Sequence, residues 1–350
     1  MVLESIIKIF FLATLAFAAA IAWTPVLTHF LYKYRLGKQI RDDGSAPVFA
    51  KMHEAKRGTP TMGGLLVWVT LVALMAFFYY FSKLFPSGFL HDLNFFSRQQ
   101  TLLPLGALVA SALVGLIDDY WNVRRIGPHG GGLRMRHRLL LYALIAAVGA
   151  LWFYYKLEWD LLRVPFVGSF NIGWWYVPVF VLVIVATSFS VNETDGLDGL
   201  AGGVLASSFA AYGAIAFIQG KADLAAFCGV IVGGLLAFLW FNINPARFFM
   251  GDTGAMSLGV TLGVVAMLTN AALLLPVIGL VFVLESASVI IQVASKKLRH
   301  KKVFLSAPIH HHFEAIGWSE PKVVMRFWVI ATISAVAGLV MAMVDRGFFS

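Results

Sequence analysis

Five stretches of this 350-residue chain bring together residue types that can do chemistry on anions. Asp118 and Asp119 stand side by side in GLIDDYWNVRR, where an apolar run ends. Acids at a helix C-terminus oppose the macrodipole, and adjacent carboxylates repel unless a cation or a proton lies between them. Neighbours on a helix point about 100° apart, so one carboxylate can face a reaction while the other faces a metal or a positioning group. A solvated helix end is the plain alternative. In VNETDGLDGLAGG, Asn192, Asp195 and Asp198 recur every third residue, so a helical turn would put them on one face. Gly196 and Gly199 flank Leu197 and let backbone approach a ligand closely. The N–H groups that open the next helix suit an anion or a ring carbonyl. A polar turn explains the Gly and Asn, but not three carboxylates in a row of seven residues.

Asp252, in NPARFFMGDTG, sits where a helix can begin. It is either an N-cap or a metal ligand, and Phe248 or Phe249 beside it is either an interfacial aromatic or a platform for a base. In SAPIHHHFE, His310, His311 and His312 are consecutive, and consecutive residues cannot all face one metal from a regular helix or strand. A loop gripping phosphate through imidazole N–H groups is therefore preferred to a structural zinc site. In KRGTPTMGG, Lys56 and Thr61 precede an apolar run. Thr, Gly and Pro are ordinary helix-start chemistry, while a Lys and a hydroxyl there also suit a nucleotide phosphate or base.

The elements that must position these groups are membrane spans. The chain is 59% hydrophobic and 13% charged, with a mean hydropathy of +0.80. A soluble domain has about 25% charged residues, so a soluble enzyme is excluded, as are disorder and a disulfide scaffold. The single Cys228 lies in an apolar run. An N-terminal run, read as a retained span despite its likeness to a signal peptide, is followed by runs near 62–82, 101–117, 139–156, 174–191, 200–219, 224–241, 254–270, 273–294 and 325–344. Each suffices to cross a bilayer, which takes about 20 residues. They lack the alternation of barrel strands. The expected fold is thus all-α and polytopic: about ten transmembrane helices in one integral-membrane domain, 1–350.

Ten spans place 33–57, 118–138, 192–198, 242–252 and 295–326 on one side. These carry 20 of the 27 Lys and Arg residues and 11 of the 18 acids. The basic bias puts that side in the cytoplasm and both termini outside. The run Lys296–Lys302 needs no more than topology and attraction to anionic headgroups. Acids gathered on the same face need another reason. The net charge of +9 is thereby placed on one face, a basic surface around an acidic centre; no nucleic-acid partner is implied. Glu285 is the one acid inside a span and is costly there. It is a functional candidate or the partner of a neighbouring helix, with Gln292 two turns on along the same side.

Taken together, KRGTPTMGG, GLIDDY, VNETDGLDGLAGG, FFMGDTG and above all APIHHHFE resemble the bacterial phospho-N-acetylmuramoyl-pentapeptide transferase family, within the polyprenyl-phosphate N-acetylhexosamine-1-phosphate transferases. The likeness runs from about residue 50 to 330. It implies a magnesium-dependent homodimer in the bacterial cytoplasmic (inner) membrane with a cytoplasmic active site. The implied reaction joins UDP-MurNAc-pentapeptide to undecaprenyl phosphate, a membrane lipid, giving lipid I and UMP. It makes Asp118, Asp119 and Asp252 the central acids, with Asp252 on Mg²⁺. It puts Lys56, Thr61, Asn192, Asp195, Gly196, Leu197, Asp198, Phe249, Gln292, His311 and His312 in the nucleotide-sugar pocket, Phe249 stacking on uracil. There are departures. Asn122 stands where the family usually has Lys, the loop IGPHGGGLRMRHR is Gly-rich, and Glu193 replaces an apolar residue. Arg124, Arg134 or Arg136 is expected to supply the missing charge. The rival readings are a relative that uses UDP-GlcNAc, disfavoured by HHHFE and GTPTMGG, and a transporter, disfavoured because the polar residues gather at one end of the spans.

Overall fold

The structure is a computed structural model and describes residues 2–37, 56, 58–127 and 131–347. Most of the first expected cytoplasmic segment, with Asp42, Asp43, Glu54 and Arg57, lies outside the described residues, as do 128–130 of the Gly-rich loop.

Ten long helices carry the chain: α1 (Val2–Lys33), α2 (Leu65–Leu84), α3 (Leu102–Val123), α4 (Met135–Lys156), α5 (Tyr176–Thr194), α6 (Leu200–Ile218), α7 (Ala222–Asn242), α8 (Gly251–Leu268), α9 (Leu280–Arg299) and α10 (Glu320–Asp345). A helix satisfies its own backbone hydrogen bonds, which is what a lipid-facing segment requires. Nine of the ten are long and apolar enough to cross a membrane by themselves, among the described residues. The ninth expected span, 273–294, is not one straight helix. It is broken at Gly279 into Ala272–Ile278 and α9, which meet at 84° and make a tenth span only if counted together. Gly279 has no Cβ to oppose the bend and Pro276 sits in the first turn of the short Leu275–Ile278 helix.

At the centre of the bundle is α8, buried along nearly its whole length. Its surface is mostly Gly, Ala, Ser, Thr and short aliphatics, small residues that let helices in a membrane approach closely. It packs mainly on α3 and α5, while α1 lies along α7 and α7 along α6. The all-helical expectation misses a hairpin between α4 and α5, in which β1 (Leu161–Val164) pairs antiparallel with β2 (Gly168–Asn171). Arg163 ties it to Asp345 at the end of α10. This hairpin follows the C-terminus of α4, at the far end of the bundle from the acidic residues.

Candidate active site

Asp118 and Asp119 lie one turn inside the C-terminus of α3 rather than at its last residue, and both are buried. Their carboxylates serve different neighbours. Asp119 accepts the backbone N–H groups of Asp252 and Thr253, each at 3.0 Å, and the Thr61 hydroxyl at 3.2 Å. It therefore caps the N-terminus of α8 from another helix, taking up donors a helix start leaves unpaired. Asp252 does not cap itself: Met250 holds the N-cap position and Asp252 sits in the first turn. Glycine makes the approach possible. Gly251 has φ +73°, and a Cβ there would meet Asp119 Oδ2 at 2.5 Å; one on Gly115 would meet the Asp252 carbonyl oxygen at 2.4 Å.

Asp118 turns the other way. It accepts the Leu133 N–H at 2.5 Å and faces Arg138 Nε at 2.7 Å. The Gly-rich loop is shaped for this contact, since Gly132 has φ +80° and a Cβ on it would lie 2.8 Å from Asp118 Oδ1. The same guanidinium reaches Asp252, with Nη1 to Oδ1 at 3.2 Å and Nη2 to Oδ2 at 2.9 Å. Asn192 donates to Asp252 Oδ1 at 2.6 Å and its Oδ1 lies 3.3 Å from Arg138 Nη1. So α3, α4, α5 and α8 each contribute one group to a single cluster. A forked, permanently charged guanidinium suits two carboxylates better than an ammonium would.

Arg138 is the group that sequence reasoning missed. The three arginines expected to supply charge, Arg124, Arg134 and Arg136, are all exposed, whereas Arg138 is buried. A signal was present: Arg138 starts the buried ladder Tyr142, Ala146 and Ala150 at spacings of four along α4.

A second cluster adjoins the first through the segment between α7 and α8. Lys56 bridges Asp198, at 2.7 Å, and Glu320. Asn244 donates to Asp198 at 3.0 Å and to Glu320 at 3.1 Å. The Lys56 ammonium stands 5.9 Å from the centre of the half-exposed Phe249 ring, while Phe248 is fully buried. Phe249 is held by its backbone, which donates to the Pro60 carbonyl and accepts from Gly63 N–H, each at 2.8 Å. KRGTPTMGG and FFMGDTG, far apart in sequence, are thus two edges of one pocket.

Asn192, Asp195 and Asp198 do not share a face, because α5 ends at Thr194 and Gly199 is left-handed at φ +84°. Asn192 joins the Arg138 cluster, Asp198 joins Lys56, Leu197 is buried, and Asp195 lies at the helix end between them. The histidines lie on a short helix, Ile309–Ala315, not in a loop. His310 Nδ1 is 2.8 Å from Glu285, both fully buried, which gives the intramembrane acid a structural partner. His311 Nδ1 is 2.7 Å from Glu314. Burial first, and then His310 beside it, push the His311 imidazole down to about 4, so it is neutral near pH 7. A neutral ring whose Nδ1–H serves a carboxylate presents Nε2 as an acceptor. Gripping a phosphate through that nitrogen thus requires an added proton. Both rings approach Gly196, where a Cβ would come within 2.3 Å of His310 Nε2 and 3.3 Å of His311 Nε2. His312 instead accepts the Leu305 N–H, and Gln292 spends its amide on the backbone of Val303 and Phe304.

No trio of His, Cys, Asp or Glu among the described residues is spaced to enclose a metal. Magnesium does not ask for one, since it is commonly held by one or two carboxylates together with substrate phosphates and water. Asp252 and Asp118, with the Asn192 oxygen, already surround one cation, the Arg138 guanidinium. This hard-oxygen donor set fits Mg²⁺.

Comparison with known proteins agrees with the geometry. Residues 101–270 match the profile of Glycosyl transferase family 4, and 56–66 match Phospho-N-acetylmuramoyl-pentapeptide-transferase signature 1. The Phospho-N-acetylmuramoyl-pentapeptide-transferase of Chloroflexus aggregans is 42% identical over 95% of this chain and 90% of its own length. The proteins of that name from Shouchella clausii and Listeria welshimeri are 39% and 40% identical, over 94% and 92% of this chain and 96% and 94% of theirs. The matched signature begins at Lys56 and runs through Thr61, and the broader profile spans Asp118 to Asp252, the residues that the fold has brought together. The chain belongs to the phospho-N-acetylmuramoyl-pentapeptide-transferase family.

Proposed function

We propose that this protein transfers phospho-MurNAc-pentapeptide from UDP-MurNAc-pentapeptide to undecaprenyl phosphate, forming lipid I and releasing UMP. The observation that carries this reading is the convergence of Asp118, Arg138, Asn192 and Asp252 from four helices at one end of the bundle, beside the Lys56–Phe249 pocket. Phosphoryl transfer depends on positioning and on offsetting charge, and this centre holds both signs of charge in buried, preorganised form.

In the proposed reaction uracil stacks on Phe249, with Lys56 alongside. The diphosphate draws the Arg138 guanidinium from the carboxylates towards itself. Asp118 then loses its counter-charge and becomes a stronger base. It takes the proton left on the lipid phosphate, whose oxygen attacks the phosphorus on the MurNAc side. The bond from that phosphorus to the bridging oxygen breaks, and UMP leaves with the electron pair. Asp119 touches no substrate; it holds the start of α8, and with it Asp252, in place. Asp252 would hold Mg²⁺, which when bound would supply charge neutralisation for the diphosphate and the leaving group. The concentration of basic residues on the site's side supports a cytoplasmic active site and external termini, and family membership supports placement in the inner membrane. A homodimer belongs to the same reading. Glu285 is paired with His310, which accounts for the buried acid without invoking a transport path.

The test combines purified protein, UDP-MurNAc-pentapeptide, undecaprenyl phosphate and Mg²⁺, and measures UMP and lipid product. Turnover that stops with chelator and returns with Mg²⁺ is expected. Turnover of UDP-GlcNAc in place of the muramoyl substrate would overturn the assignment. Stoichiometric UMP without lipid acceptor would replace direct attack by a phospho-sugar aspartate.

A further inference from the structure

At the same end of the bundle as Asp252, a cleft of about 460 Å³ lies between α1 and the end of α7. Its lining includes His29, Tyr32 and Lys33 from α1, and Phe241 and Arg247 from α7 and the segment after it. Among the described residues, no Asp or Glu lines it. Among the described residues, neither Lys33 nor Arg247 has a carboxylate partner: Arg247 lies over the Phe241 ring at 5.6 Å and Lys33 near the Tyr34 ring at 5.9 Å. On the same helices Val26, Phe30 and Trp240 are exposed apolar residues, as on a surface that meets acyl chains.

We propose that this cleft binds the phosphate headgroup of an anionic phospholipid from the adjoining leaflet. Basic pockets between spans at a membrane surface favour such headgroups. Two cations and an imidazole match a phosphodiester, the Tyr32 hydroxyl, its proton given to the Arg247 carbonyl, can accept from a polar glycerol, and Trp240 with the exposed face of α1 matches its tails. A bilayer lipid, unlike a free anion, is presented at this depth at high local concentration.

Occupancy reaches the active site through one short segment. Tyr32 Oη donates to the Arg247 carbonyl at 2.9 Å, and Arg247 N–H donates to the Phe241 carbonyl at 2.8 Å. The same segment carries Asn244, bonded to Asp198, then Phe249 and Asp252. A headgroup on Arg247 steadies the backbone that presents the stacking ring and the central acid. The lipid site itself stands apart from the transferase reading; only its effect on turnover rests on that reading.

The experiment titrates the full-length, detergent-solubilised chain with phosphatidylglycerol, phosphatidylcholine or inorganic phosphate and counts bound lipid by native mass spectrometry. The double variant Lys33→Gln/Arg247→Gln is compared with Lys296→Gln/Lys297→Gln, which removes equal charge elsewhere on the same face. Two basic residues near an anionic surface correspond to roughly a thirtyfold change in binding. The expected result is phosphatidylglycerol binding weakened by about that factor in the first variant, unchanged in the second, with both melting like the wild type. Equal binding by the two variants, phosphatidylcholine binding as well as phosphatidylglycerol, or displacement by inorganic phosphate at matched concentration would each overturn the site. In nanodiscs, phosphatidylglycerol should raise wild-type turnover and leave Lys33→Gln/Arg247→Gln unaffected. A stimulation retained by that variant would overturn the link to the active site while leaving the binding result to stand.

Discussion

Replacing Asp119 by Asn separates a positioning role from a direct one. In the structure its carboxylate accepts two backbone N–H groups at the start of α8 and the Thr61 hydroxyl, while buried at 3% exposure. The amide retains one acceptor oxygen and turns an NH₂ towards the other donor. Losing one charge-assisted hydrogen bond costs about 1.5–3 kcal/mol, and losing a negative charge at a helix N-terminus costs about 0.3–1 kcal/mol. The expected destabilisation is therefore about 2–4 kcal/mol. At about 2 °C per kcal/mol for a chain this long, the midpoint falls by roughly 4–8 °C. Asp252 moves with the freed helix end, and an ångström of misplacement costs on the order of a hundredfold in rate. Asp118→Asn should behave differently. It loses a comparable contact, with Leu133 N–H or Arg138 Nε, and the midpoint falls similarly, but the start of α8 stays capped, so kcat collapses while KM changes little. The assay is thermal unfolding in detergent alongside UMP release, with kcat and KM measured separately. An Asp119→Asn protein with an unchanged midpoint, normal KM and no turnover would refute this reasoning and put Asp119 on the substrate.

Arg138→Gln leaves Asp118 and Asp252 without their shared cation and should lower stability by about 3–5 kcal/mol, the usual result of breaking a buried pair; Arg138→Lys should recover much of this but not the forked contact, as read by thermal unfolding. Phe249→Ala should raise KM for the UDP substrate with little effect on the midpoint, because the ring is half-exposed; a lost base stack is worth about 1–3 kcal/mol, or roughly 5- to 150-fold. His311 is held neutral in the fold down to about pH 4, whereas in the unfolded chain it takes up a proton near its ordinary value of about 6.5. The unfolded state thus binds more protons between these values, and stability rises with pH across about pH 4–6.5. That contribution is lost progressively as pH falls from about 6.5 to about 4, and the slope should flatten in His311→Gln when unfolding is measured across that range.

Much of the site was legible because its residues are expensive where they stand. Carboxylates at the ends of apolar runs repel one another and cost desolvation, so Asp118, Asp119 and Asp252 drew attention before any fold was known. Lys56 and Asp198 were legible for the glycines, prolines and hydroxyls around them, whereas the choice of Phe249 over Phe248 came only with the family resemblance. Arg138 was not, because five arginines crowd residues 124–138 and only helical phase tells which one points inward. The bend at Gly279 was also hidden, since an apolar run reads the same whether straight or broken.

By itself the sequence determined the membrane-embedded helical class, the end of the bundle where chemistry is gathered, and the acids involved. These are properties of composition and spacing, and burial in lipid leaves little choice about them. Only the tertiary structure decided the division of labour. Two neighbouring aspartates became a helix cap and a partner of Arg138 because a helix turns adjacent side chains about 100° apart, and α8 and α4 happened to supply the groups on either side. Residues 133, 138, 192 and 252 meet through packing between helices, and pairings of that kind follow from which faces touch, which no single stretch of sequence records.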